Sequence, residues 1–472
     1  MSIPTTLVDK IWSSHVVADM GDGASLLHID RNFQHELSGA TALHGIDEAG
    51  RQICNVELSF GAVEHVRDTR PGRGDQTPIP GGADFIREFR QRAKAHGIRL
   101  FDLGDPLQGI AHVIAPELGI ALPGLTYVCG DSHTCTIGGV GALAWGIGST
   151  DVEHVFATQT MVQTKPKNMR VVFEGDLGDE VFAKDMILFL ISRVGAAGGI
   201  GHAVEFAGPT IGSLPVDARL TICNMAVEFS ASTGIIAPDE VTLEYVKGRP
   251  FAPRGDMWDA AEEHWRSLRS DEGVAFDKEV AVRCAEIRPQ VTWGTSPEHS
   301  VSVDDCVPDP ASAVDTDKRR TMERAIAYVG LDPGTPMEKV KIDAVFIGSC
   351  TNARLSDLRE AARILKGRRI APGMRAVCSP GSFETKRRAE AEGIATIFEE
   401  AGFEWRESGC SLCMSGGAGG EGFEPGQHVL STTNRNFEDR QGRGVRSHLA
   451  SPVTAAATAV TGHITDPRKI GG

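Results

Sequence analysis

The sequence is poor in aromatic residues: phenylalanine, tryptophan and tyrosine together make up 6% of its 472 residues, and tyrosine occurs only 3 times. A stacking surface for single-stranded nucleic acid needs such rings, so the composition argues against that class. Positive charge is also in deficit, with 48 lysines and arginines against 63 aspartates and glutamates and a formal charge of −15. Polyanions are repelled at long range, and a nucleic-acid partner is not expected. Long apolar runs are missing: the longest, residues 186–191, falls far short of the ~20 residues that a membrane span requires. The opening MSIPTTLVDKIWSSH has no basic stretch leading into an apolar core, so a secretory signal is not expected. A cytoplasmic enzyme with no membrane partner is the default.

What is present is ordinary for a globular chain, with 41% hydrophobic and 24% charged residues. At ~150 residues per domain the length suggests about three domains. Fifty-four glycines suit tight turns and backbone that approaches a ligand closely. The 10 cysteines are Cys54, Cys129, Cys135, Cys223, Cys284, Cys306, Cys350, Cys378, Cys410 and Cys413. Spread over a long chain without a secretory signal, they read as buried thiols or metal ligands rather than a disulfide framework.

Apolar, β-rich runs alternate with helical patterns, the signature of an α/β protein with largely parallel sheets. The clearest unit is a strand, Ala344-Val345-Phe346-Ile347, ending in Gly348-Ser349-Cys350-Thr351-Asn352. A helix follows, with Leu355, Leu358, Ala362 and Leu365 on one face and Gly367 just past its end. Two more segments share this form. Leu125 to Cys129 runs into Gly130-Asp131-Ser132-His133-Thr134, and His428 to Ser431 into Thr432-Thr433-Asn434-Arg435-Asn436. Ligands of open α/β sheets bind outside the carboxyl ends of the strands, so these three polar clusters are where a site would be built. Residues 289–313, rich in proline and without helical periodicity, read as a linker, and a break near Lys165-Pro166-Lys167 precedes another strand. The expected boundaries are 1–166, 167–290 and 291–472, with 291–320 as the linker.

Cys410-Ser411-Leu412-Cys413 is a C-x-x-C, which alone fits buried thiols, a redox pair or half of a zinc site. A second C-x-x-C at zinc-ribbon spacing is absent; instead Cys350 lies sixty residues upstream at a strand end. Three thiolates also suit a cubane iron–sulfur cluster with one iron left open, and they disfavour magnesium or calcium. The glycines at 138, 139, 141, 146 and 148 miss the context of a dinucleotide fingerprint.

Gly348-Ser-Cys-Thr-Asn352 and Gly409-Cys-Ser-Leu-Cys413, with Gly130-Asp-Ser-His-Thr134 and Asn434-Arg-Asn-Phe437, resemble the signatures of the aconitase superfamily. Segments such as GIAHVIAPE, ICNMAVE, VTWGTSPEH and NRNFEDRQGRG are most similar to its isopropylmalate dehydratase large-subunit family. The resemblance implies three α/β/α domains with mostly parallel sheets around a central iron–sulfur cleft. It implies a hydro-lyase that dehydrates and rehydrates a small hydroxy-dicarboxylate, 2-isopropylmalate to 3-isopropylmalate in leucine biosynthesis. It further implies one [4Fe–4S] cluster per subunit, held by Cys350, Cys410 and Cys413, with one iron lacking a protein ligand. Glu64-His65 matches a pair that delivers a proton to the leaving hydroxyl, although the family usually has aspartate where Glu64 stands. Asp131 and His133 match catalytic positions, while Ser132, Arg435 and Arg440 match substrate-binding ones. His112, Glu228 and Asn434 match supporting ones.

In the superfamily the serine that takes the α-proton lies on a swivelling fourth domain, which the isopropylmalate branch carries on a separate small subunit. A heteromeric enzyme is therefore implied. Without the cysteines, Asp131-Ser132-His133 reads first as a helix N-cap beside a surface histidine. Three departures beside the site motifs leave room for another substituted malate or maleate: Ile137 and Gly139 for the usual histidine and alanine, Met414 to Gly417 after the C-x-x-C, and the loop 70–82. A cluster-dependent RNA-binding regulator is the alternative of a different class.

Overall fold

The computed structural model describes residues 4–414 and 421–470, the side chain of Met414 excepted. The chain divides into two units. One comprises Met1–Val66, Gly81–Gly175 and Gly199–Arg283; the other comprises Arg67–Pro80, Asp176–Gly198 and Cys284–Gly472.

The first unit holds a five-stranded sheet in the order Arg99–Phe101, Ser59–Ala62, Arg31–His35, Thr126–Cys129, Leu143–Gly146. Every pairing in it is parallel. Its strands Ser59–Ala62 and Thr126–Cys129 are buried along their whole length, as strands covered on both faces must be, and Arg31–His35 is buried from Asn32 onward despite its polar side chains. Counted along the chain the order is 3-2-1-4-5, so connections run outward in both directions from the first strand. The switch point therefore lies between Arg31–His35 and Thr126–Cys129. A second parallel sheet in this unit is ordered Thr233–Ile235, His202–Ala207, Lys167–Glu174, Lys278–Arg283. A three-stranded antiparallel sheet of Val16–Gly21, Ala24–His28 and Thr160–Thr164 completes it.

The second unit repeats the 3-2-1-4-5 order with Glu404–Trp405, Arg375–Cys378, Ala344–Ile347, His428–Ser431 and Arg446–Leu449, again all parallel. Its switch point lies between Ala344–Ile347 and His428–Ser431. The helix Leu355–Leu365 buries Leu355, Leu358, Ala362 and Leu365 as their spacing predicts, and Gly367 follows with φ +72°. Residues 289–313 carry more structure than their proline content suggests. Gln290–Thr292 and Ser300–Ser302 pair antiparallel, and Val291, Trp293, Val303 and Val307 enter the core of the unit. Here the prolines punctuate a buried hairpin rather than a spacer. No described helix is long and apolar enough to cross a membrane.

The first of the departures has a packing explanation. Ile137 is fully buried in the core of the first unit with Phe33, Tyr127, Val216 and Leu220. A Cβ on Gly138 would stand 1.8 Å from the carbonyl oxygen of Gly234, and one on Gly139 would stand 2.7 Å from the backbone of Leu220. The 3-10 helix Ser132–Val140 thus lies against neighbouring backbone with no room for a methyl group. Gly139→Ala, although it restores the usual residue, should lower the unfolding free energy by about 1–3 kcal/mol, the usual cost of overpacking. Denaturant unfolding measures this, and an unchanged midpoint would refute the packing account.

Candidate active site

In the first unit the switch point gathers histidines and carboxylates from five chain segments. The strand Arg31–His35 ends in His35, which caps the helix Glu36–Glu48 by accepting from the Leu37 N–H at 3.3 Å. Its other ring nitrogen, Nε2, donates to the carbonyl of Gly130 at 3.1 Å. His35 is thereby neutral with a defined tautomer, and burial together with the charge of His65 lowers its pKa to about 4. Glu36, wholly buried, accepts from the backbone N–H groups of Glu64 (3.0 Å) and Val66 (2.6 Å). It fixes the turn that follows the strand Ser59–Ala62 and carries the acid–histidine pair.

His65 is held between two carboxylates. Its Nδ1 lies 2.7 Å from Glu64 Oε1 and its Nε2 lies 3.0 Å from Asp131 Oδ2. A glutamate in place of the usual aspartate therefore still closes the pair. The ring stacks on His35 at 3.9 Å between centroids, with 21° between planes. Burial works against a charge on His65, but Glu64 and Asp131 outweigh it and hold the pKa well above the usual 6.5. Asp131 shows the opposite shift. Burial favours its neutral form, yet His112, His133 and His65 hold it well below the usual carboxylate range.

Asp131 also caps the 3-10 helix, accepting from the His133 N–H at 2.6 Å, as the cap reading expects. His133 is buried rather than exposed, and its Nε2 lies 2.8 Å from Glu228 Oε1. His112 Nε2 stands 3.3 Å from Asp131 Oδ1. Ser132 is exposed, with its hydroxyl 3.2 Å from His133 Nδ1. Glu64, His65, Asp131, His133, His112, Glu228 and Ser132 thus form one connected group. His35 and Glu36 belong to it and were missed, although they too are a polar pair directly beyond a strand.

In the second unit the equivalent edge gathers sulfur. Cys350, Cys410 and Cys413 are all buried, and none is in a disulfide. Ser349, turned into the left-handed region at φ +82°, places its hydroxyl 3.9 Å from Cys350 Sγ and 3.5 Å from Cys413 Sγ. The C-x-x-C closes a tight turn, with the Cys413 N–H donating to the Cys410 carbonyl at 3.1 Å. Asn434 Nδ2 donates to Cys350 Sγ at 3.6 Å, and Arg440 Nη2 to Cys413 Sγ at 3.6 Å. Arg435 follows Asn434 on the turn after the strand His428–Ser431 and is partly buried. Thr69, just before the atypical loop, joins this group: its carbonyl accepts from the Glu407 N–H at 2.7 Å, and its hydroxyl meets that of Ser411 at 2.8 Å. The departure after the C-x-x-C falls on residues 415–417, outside the described residues.

Three soft donors, with amide, guanidinium and hydroxyl groups directed at sulfur, fit an iron–sulfur cluster and not a hard cation. The fold and these polar groups suit a hydro-lyase of α/β architecture. The chain belongs to the aconitase family, whose description reads aconitate hydratase and which matches residues 9–462. It is 53% identical to the 3-isopropylmalate dehydratase large subunit 1 of Bradyrhizobium diazoefficiens over 463 residues, 98% of this chain and 96% of that one. Among solved structures it is similar to holo-form aconitase X of Thermococcus kodakaraensis, with 11% identity and a TM-score of 0.45 over 91% of this chain and 89% of that one.

Because two anions hold the proton on His65, removing either should release it at lower pH. In Asp131→Asn the titration midpoint of His65, followed by NMR of histidine-labelled protein, should move down, and Glu64→Gln should move it the same way. A midpoint unchanged in both would contradict the charge arrangement. The same raised pKa means that the charge of His65 stabilises the fold below about pH 6.5, and that this contribution is lost as pH rises through the folded-state value.

Proposed function

We propose that the chain is the large subunit of an iron–sulfur hydro-lyase that interconverts 2-isopropylmalate and 3-isopropylmalate through isopropylmaleate. The observation that carries the substrate is the 53% identity extending over 98% of the chain. The packing of Ile137 and Gly139 removes one ground for a different substrate, because Ile137 and the backbone beside Gly139 belong to the core.

Cys350, Cys410 and Cys413 would hold a [4Fe–4S] cluster, which when bound supplies an iron without a protein ligand as a Lewis acid for the departing hydroxyl. The chain's own residues supply the rest. His65, kept protonated by Glu64 and Asp131, is the general acid that delivers a proton to the leaving oxygen, and in hydration it takes the proton back. Asp131 stays ionised throughout and orients His65, while the His133–Glu228 pair and His112 keep Asp131 in place. Ser132, exposed beside them, offers a hydroxyl to a substrate carboxylate. Arg435 and Arg440 bind carboxylates through guanidinium forks. Asn434 and Arg440 also donate to the sulfurs of Cys350 and Cys413.

The α-proton needs a base that these residues do not provide. We assign it to a separate small subunit, in keeping with the term "large subunit" in the relative's name. A cytoplasmic setting and a three-domain division at 166 and 290 belong to the same proposal.

Co-purification with a candidate small subunit, anaerobic reconstitution and a substrate panel test the reading. Turnover should be highest with 2-isopropylmalate, followed through formation of the conjugated enoate, and a preference for citramalate or 2,3-dimethylmalate would overturn the substrate assignment. In the same enzyme His65→Gln should lower kcat by about 10²–10⁴-fold, the typical contribution of a general acid, with little change in KM. An unaltered kcat would remove His65 from the chemistry.

A further inference from the structure

The first turn of the helix Ala183–Val194 carries a lysine that the chemistry above does not use. Lys184 is wholly buried, and its ammonium donates to two successive carbonyls, Thr432 at 3.2 Å and Thr433 at 2.5 Å. Its position is electrostatically adverse. Taking an ammonium out of water costs several kcal/mol, and an apolar side chain of similar volume is often as good for stability. The second residue of a helix also sits at the positive end of the helix dipole, which disfavours a cation. The neighbouring carboxylate, Asp185, already accepts from the N–H groups of Gln290 at 2.7 Å and Phe182 at 2.9 Å.

The two carbonyls belong to the turn that leaves the strand His428–Ser431 at the switch point of the second unit. The same turn is tied to the neighbouring strand end, because Thr432 Oγ1 accepts from the Gly348 N–H at 3.0 Å and lies 3.1 Å from the Gly348 carbonyl. The next residue is Asn434, whose amide donates to Cys350 Sγ, and Arg435 follows it. With both carbonyls directed at one ammonium, the peptide planes on either side of Thr433 are fixed, and with them the start of Asn434.

We propose that Lys184 is a positioning residue: its buried ammonium holds the Thr432–Thr433 turn so that Asn434 donates to the Cys350 sulfur. Through the same turn it sets the place of Arg435. The lysine acts on the metal centre only through this turn, and the inference rests on the reading of Cys350 as a cluster ligand.

The full-length chain, reconstituted anaerobically with ferrous iron and sulfide, is challenged with a ferrous chelator, and the rate of iron release is compared among variants. Circular dichroism and melting of the cluster-free chains establish folding. In Lys184→Met, iron release should be about 10–100-fold faster than in the wild type, the range typical of a lost outer-shell partner. The electron paramagnetic resonance signal of the oxidised three-iron form should be altered, and Lys184→Arg should recover part of both. Asn434→Ala should show a similar acceleration. Because the lysine acts through Asn434, the double variant should release iron no faster than Asn434→Ala alone. If Lys184→Met does not fold, Lys184→Gln, which keeps one donor and drops the charge, is measured in its place with the same expectation. Wild-type release and signal in the folded lysine variant, or effects that multiply in the double variant, would overturn the proposal. If Cys350→Ser retains iron as the wild type does, the reading of the site itself fails.

Discussion

When the strands of a parallel sheet are laid outward in both directions from one central strand, the connections at its carboxyl edge diverge. The backbone ends of two adjacent strands are left facing a gap that no helix fills. Both five-stranded sheets of this chain have that order, and in both some of the chemistry-bearing residues stand at the gap. His35 and Glu36 close one central strand and Gly130-Asp131 the other; in the second unit Gly348-Ser349-Cys350 and Thr432-Thr433-Asn434 take those places. The strand order thus decides where polar groups can converge without being buried under a crossover. Everything else about the two groups is local elaboration of that constraint.

The elaborations differ in kind. In the first unit His65 lies within hydrogen-bond distance of two carboxylates, Glu64 and Asp131, and its partial burial is tolerable because its charge has these neighbours. His65 carries the positive charge, so the histidine stacked on it must be neutral. The backbone ensures this, since Leu37 donates to one nitrogen of His35 and Gly130 accepts from the other. A protonated His35 would lose its cap and face a second cation. In the second unit the donors converge on sulfur instead, from an amide, a guanidinium and a hydroxyl, and the cation that braces the turn is held by carbonyls.

The legibility of these features in the sequence follows from their physics. The strands before Gly348 and Thr432 were readable because strands buried on both faces are short apolar runs, and the helix after Asn352 because its face repeats at helical spacing. The cysteines, Asp131 and His133 were readable as residue types placed just beyond strand ends. His35 and Glu36 satisfy the same rule but follow Arg31-Asn32-Phe33-Gln34, a strand whose polar residues hide its period. Ile137 illustrates the opposite difficulty. Lying within a motif it suggested a change of substrate, whereas only three-dimensional packing reveals a core residue flanked by backbone that excludes even a methyl group. Lys184 carried no signal at all, because one lysine in a helical pattern is ordinarily a solvated charge, and its partners are backbone atoms some 248 positions away.

That last case bears on how such sites hold their shape. Side-chain ligands are specified by residue type, but the turns that aim them are specified by where their carbonyl and N–H groups find partners. In this chain the partners are themselves buried ionisable groups: Glu36 takes the N–H groups beside His65, and Lys184 takes the carbonyls beside Asn434. A carboxylate accepts from N–H groups and an ammonium donates to carbonyls, so the sign of each buried group follows from which end of the peptide the turn presents. The burial cost falls on Glu36 and Lys184, and it is offset by the hydrogen bonds that satisfy the peptide groups of these turns. The same logic explains why a neutral polar residue would serve less well at either place, since charge-assisted hydrogen bonds are roughly twice as strong as neutral ones.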